Sequence, residues 1–71
     1  MTENDLNAVI EDNTLDDNAK IIYSYFFVYE DTDVPSWQIE NLACLALDIT
    51  TQKFQEYVRL LESKGYKVEG A

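Results

Sequence analysis

Glu30, Asp31 and Asp33 stand within four positions of one another, a spacing at which carboxylates can share a hard cation. An EF-hand loop also needs a glycine at its sharp turn and a glutamate at its end, and neither is present here. No metal is expected there, and no other cofactor. The lone thiol, Cys44, lies in the apolar run LACLAL of a chain with no histidine. It reads as a small buried hydrophobe in a reducing compartment, because a catalytic thiol needs a base or a cationic neighbour to form thiolate. With two glycines, Gly65 and Gly70, there is also no loop to cradle a phosphate. The expectation is a protein that is not an enzyme. What remains is recognition chemistry. Asp12, Asp16, Asp17, Glu30, Asp31 and Asp33 can act as phosphate surrogates or as an acidic rim, and a late stretch with Lys53 and Arg59 carries most of the positive charge.

These groups must be positioned by a single small domain. A chain of 71 residues buries roughly 60% of its unfolded surface, so its stability is marginal unless a second copy or a partner adds burial. The apolar fraction of 46% is nevertheless too high for a disordered chain. The net charge of −9 is uneven: residues 1–17 hold six acids and no base, whereas four of the five bases lie in the last 22 positions. Residues 1–17 are read as an acidic N-terminal arm, in which Leu6, Val9 and Ile10 allow a short amphipathic turn or two. Residues 18–71 are read as the folded domain. No leader and no membrane-length apolar run is seen, which points to a soluble, cytoplasmic protein.

Within the domain, Asp17 or Asn18 can cap a helix through AKIIYSYFFVYE, with Ala19, Ile22, Tyr25, Phe26 and Tyr29 as its core stripe. Ile21, Tyr23, Phe27 and Val28 fall outside that stripe, and an alternating strand also fits; length and capping favour the helix. Pro35 holds Val34 out of the α region, and Ser36 can cap a second helix, Trp37 to Leu47, with the stripe Ile39, Leu42, Ala43, Ala46 and Leu47. Leu47-Asp48-Ile49-Thr50 is a turn, since aspartate tolerates left-handed dihedrals. Thr50 or Thr51 then caps a third helix that runs to about Lys64, buries Phe54, Tyr57, Val58 and Leu61, and stops at Gly65. Tyr66 to Val68 alternate into a short strand.

From about Asn18 onward this pattern resembles the winged-helix family of helix-turn-helix proteins, as found in small bacterial and phage regulators. The likeness runs through LACLALDITTQKFQEYVRLLESKGYKV: Cys44 three before Leu47, the plug Ile49, a threonine cap, then Phe54, Val58 and Leu61 leading into SKGYKV. It implies a mainly α fold, a three-helix core with a rudimentary C-terminal strand. It also implies that the helix 51–64 would enter a DNA groove. Thr51, Gln52, Lys53, Gln55, Glu56 and Arg59 would then face bases and phosphates. Two departures stand out. Only one strand fits before the chain ends, so the wing's contact is missing, and Glu56 meets phosphate badly.

The charge decides the order of the readings. Affinity for DNA comes largely from lysine and arginine on phosphates, and the acids of residues 1–49 oppose it. Trp37, Leu45 and Leu60 project off their helical stripes, and Tyr23 and Phe27 join them as surplus apolar residues, otherwise explained by core or dimer packing. The leading expectation is therefore a small acidic, non-enzymatic regulator or inhibitor. It docks a protein through these residues and the acidic rim of Asp16, Asp17, Glu30, Asp31 and Asp33, in the manner of a phage-type nucleic-acid mimic. A sequence-specific DNA-binding regulator is the alternative, a homodimer is compatible with either, and no membrane contact is expected.

Overall fold

The computed structural model describes residues 1–68, and the expected domain's last residues, 69–71, lie outside them. Among the described residues four helices succeed one another: α1 (Glu3–Glu11), α2 (Asp17–Tyr29), α3 (Ser36–Leu47) and α4 (Thr51–Ser63). α2 packs against each of the other three, and α3 also packs against α4.

The extra helix arises inside the expected arm, and its cause is local. Thr2 Oγ1 accepts from the Asp5 amide at 3.1 Å while Asp5 Oδ2 accepts from the Thr2 amide at 3.0 Å, a reciprocal cap in which aspartate replaces the usual glutamate. Glu3 and Asp5 also place negative charge at the positive end of the helix dipole. Val9, fully buried, and the partly buried Leu6 then fasten α1 to the core, and Leu15 is buried in the connection to α2. The three-helix core with an acidic arm is therefore corrected to four helices.

α2 is helical rather than a strand, and Ala19, Ile22, Tyr23 and Phe26 form its buried face. Its cap position is Asp16, one residue before the expected ones, and no side chain bonds there. In α3 the cap is Pro35, whose carbonyl accepts from Gln38 and Ile39 at 3.0 and 3.2 Å, so Ser36 becomes the first helical residue. Only Ile39 and Ala43 of the expected stripe are fully buried; Leu42 and Leu47 are half-buried and Ala46 is exposed. Asp48 takes the left-handed conformation (φ 54°, ψ 50°), Ile49 packs on the core, and Thr50 Oγ1 accepts from the Lys53 amide at 3.1 Å to open α4. α4 buries Phe54, Tyr57, Val58 and Leu61 as expected, with Phe26 and Phe54 in ring contact at 5.9 Å.

Gly65 (φ 91°) ends α4 with the Tyr66 amide bonded back to the Leu61 carbonyl at 3.0 Å, a Schellman-type closure. Residues 66–68 beyond it are not a strand. Among the described residues no β-ladder forms, so the expected C-terminal strand, and with it the winged-helix likeness, is corrected. The physical reason is that the segment has side-chain partners in place of a pairing strand. Tyr66 meets the Tyr23 ring edge-on at 6.2 Å and donates to Asp12 Oδ2 at 2.9 Å, and Val68 is buried.

Candidate functional site

Two apolar surfaces stand out, and both arise from helices that are apolar on more sides than they can bury. On α3 the core takes Ile39 and Ala43, which leaves Trp37 64% exposed and Leu45 82% exposed. They lie about 12 Å apart along the axis, with the exposed Asn41 between them. The neighbouring Cys44 is half-buried, and burial together with the Glu40 charge pushes its thiol pKa up. It has the character of a packing residue, not of a thiolate nucleophile.

The other sequence-derived apolar candidates are placed differently. Leu60 is half-buried and packs on the core, Phe27 is half-buried, and Tyr23 is a core residue. Burial also raises the Tyr23 phenol, with the charges of Asp5 and Glu30 adding to it. As ordinary packing accounts for Tyr23, it is withdrawn from the binding set.

The second surface is the outward side of α2, where Ile21 (39% exposed) and Val28 (65%) rise on either side of Ser24. With Tyr25 and Tyr29 they line a shallow groove of about 210 Å³, and the two tyrosine rings stack at 6.4 Å with an interplanar angle of 22°. Tyr29 also walls a second groove of about 160 Å³, between the end of α2 and the start of α3, with Phe26, Thr32, Val34 and Ile39. The sequence put Ile21 and Val28 off the core stripe and both tyrosines on it; Tyr25 and Tyr29 are half-buried and pack on the core while also lining the groove. The available signal was that α2 is apolar almost all round, which one buried face cannot absorb.

The acids surround these surfaces without forming a ligand cage. Asp16 and Asp17 are exposed at the start of α2, and Asp31 and Asp33 are exposed after its end. Glu30 instead accepts from the α-amino group of Met1 at 2.6 Å. Among the described residues no three His, Cys, Asp or Glu side chains come together to hold a metal ion, so Glu30, Asp31 and Asp33 are not brought into one site. Asp12 is used internally. Thr14, through its hydroxyl and its amide, and the Tyr66 hydroxyl donate to its carboxylate, and these bonds hold its pKa down at about 2.

The residues expected to face DNA, Thr51, Gln52, Lys53, Gln55, Glu56 and Arg59, are all exposed on α4. Several already have partners. Lys53 Nζ lies 3.8 Å from Glu56 and 5.1 Å over the Tyr57 ring, and Gln55 Nε2 donates to Glu40 of α3 at 2.5 Å. Lys64 donates to Thr14 Oγ1 at 2.7 Å. With Glu56 and Glu62 beside Lys53 and Arg59, the exposed side of α4 is electrically balanced.

Among the described residues no helix is long and apolar enough to cross a membrane. Compared with protein-family models, curated proteins and solved structures, the chain matches none of them.

Proposed function

We propose that the protein is a small acidic, non-enzymatic, cytoplasmic regulator or inhibitor that acts by binding a protein partner. The observation that carries this reading is the exposure of Trp37 and Leu45, two large apolar side chains on a helix whose core face is Ile39 and Ala43. Tryptophan is over-represented among residues that dominate binding energy, and an exposed Trp-Leu pair on a rigid helix costs little entropy to order. Exposed Asp16, Asp17, Asp31 and Asp33 supply a polar, negatively charged rim that favours a basic partner surface. Duplex DNA is the weaker ligand on the same grounds: Lys53 is engaged by Glu56, and few lysines and arginines remain to neutralise phosphate.

The test compares the full chain with a Trp37→Ser/Leu45→Ser variant as immobilised baits, after circular dichroism confirms that both are folded. Proteins retained by the wild type and lost from the variant are the expected result. Identical retention by both, together with saturable binding of mixed-sequence duplex DNA whose salt slope shrinks in Arg59→Ala, would overturn it.

A further inference from the structure

Ile21, Ser24 and Val28 recur at intervals of three and four along α2, the spacing of a seam that receives another helix. The β-branched Ile21 and Val28 occupy equivalent places two turns apart, with a small residue between them where a second backbone can approach. Tyr25 and Tyr29, stacked on each other, form one wall of the seam. Acids stand beyond both ends of the seam. Asp17 opens α2 four residues before Ile21, and Asp31 lies in the turn that follows α2, three residues after Val28; both are exposed.

That arrangement says what fits. A second copy of this chain would bring Asp17 and Asp31 against their own kind in either orientation, and would join two chains of net charge −9. Lys20, the base within α2, stands three residues after Asp17 and four before Ser24, along the edge of the seam opposite the tyrosines, so the acidic character of that end rests on Asp16 and Asp17 together. Glu30 is already paired with Met1.

We infer that the Ile21–Ser24–Val28 seam of α2 docks an amphipathic helix of a partner protein whose apolar stripe is flanked at both ends by lysine or arginine. This rests on the protein-binding reading and deepens it by naming the site and the partner's chemistry. It is distinct from the Trp37–Leu45 surface of α3. The partner's apolar stripe enters the groove, and its basic ends face Asp17 and Asp31. Added salt should therefore weaken the complex steeply, since both end contacts are exposed.

The test uses a labelled helical peptide of about 18 residues, long enough to span the seam, with leucine and alanine at the seam positions and paired lysines at both ends. Its control has glutamates in place of the lysines. The lysine peptide should bind saturably to the full chain and shift the amide resonances of Ile21, Ser24, Tyr25 and Val28, while the glutamate peptide should not bind. Val28→Asp decides between docking and mere charge attraction, because it makes the protein more negative while spoiling the seam. The exposed position of Val28 keeps that variant folded. A seam contact predicts at least about tenfold weaker binding in Val28→Asp. Unchanged or tighter binding by Val28→Asp would overturn the inference, as would failure of the lysine peptide to saturate. Resonance shifts centred on Trp37 and Leu45 would overturn the seam while leaving the protein-binding reading standing. Failure of the bait experiment together with seam docking of the peptide would separate the two in the other direction.

Discussion

The Tyr66 hydroxyl donates to Asp12 Oδ2 at 2.9 Å across 54 positions of sequence, tying the chain's last described segment to the end of its first helix. It joins the two regions that sequence reading assigned to an arm and a strand. The bond favours ionised Asp12 and protonated Tyr66 together: it adds to the two Thr14 bonds that chiefly hold the Asp12 pKa down at about 2, and it raises that of Tyr66.

A pH dependence with a definite sign results. The unfolded chain takes up the Asp12 proton near pH 4 and the folded one only near 2, so this contribution is present above pH 4 and lost as pH falls towards 2. Tyr66 behaves in the opposite sense: its contribution is complete below about pH 10 and disappears as pH rises through the raised folded value. In Tyr66→Phe the urea midpoint should drop at pH 7, and the fall between pH 5 and 2 should be shallower than in the wild type. An unchanged acid profile together with an unchanged midpoint at pH 7 would show that the Tyr66 bond has no part in stability.

α1 should contribute to the global fold and not fray independently. Val9 is fully buried while its neighbour Ile10 is 48% exposed, so the two apolar residues of one helix turn should behave differently. Val9→Ala should cost about 2 kcal/mol, from the lost methyl burial and the cavity left behind. Ile10→Ala should stay within about 0.5 kcal/mol of wild type. Urea unfolding by circular dichroism checks both, and equal effects would mean that α1 does not report on the core.

The same contrast shows how far the sequence could be read. Helices α2, α3 and α4, the left-handed Asp48, the Thr50 cap and the Gly65 stop obey local rules of periodicity, capping and backbone sterics. Each depends on residues within a turn of one another. α1 was harder because its apolar set is sparse and its acids resemble a solvated tail; the decisive facts are a two-residue capping box and tertiary burial of Val9 and Leu15. Tyr66–Val68 alternates like a strand, yet a strand needs a partner ladder, and these residues spend their contacts on Tyr23 and Asp12. For the candidate site, the exposure of Trp37 and Leu45 was legible as surplus hydrophobicity. Which flank of α2 would be left bare was not, because α2 is apolar nearly all round and the packing of its three neighbours decides the matter.

The turn between α3 and α4 carries a measurable cost. A non-glycine residue in the left-handed region is disfavoured by about 1–2 kcal/mol, partly relieved for aspartate. Asp48 (φ 54°) is exposed and is the only such residue among the described ones. Asp48→Gly should therefore leave stability unchanged or raise it by up to about 1 kcal/mol, and Asp48→Val should lower it by about 1–2 kcal/mol. Thermal melts of both variants test the assignment. A stabilising Asp48→Val would contradict the left-handed turn.

Trp37 is the chain's single tryptophan, so its fluorescence reports on one place. At 64% exposure its ring should be readily quenched by acrylamide and should emit at the red, water-exposed end of its range. Replacing it should hardly disturb the fold: Trp37→Ala and Leu45→Ala should each change unfolding free energy by no more than about 0.5 kcal/mol, as surface substitutions do. Contact of α3 with a protein partner removes water from the indole, so emission should shift to the blue and quenching should fall in proportion to complex formed. Docking of a basic helix on the α2 seam alone should leave both signals where they were. The two surfaces are thereby distinguished in one titration, with Val28→Asp weakening seam docking and leaving the Trp37 response intact. A large destabilisation by Trp37→Ala would instead place the indole in the core and remove the main support for a docking role.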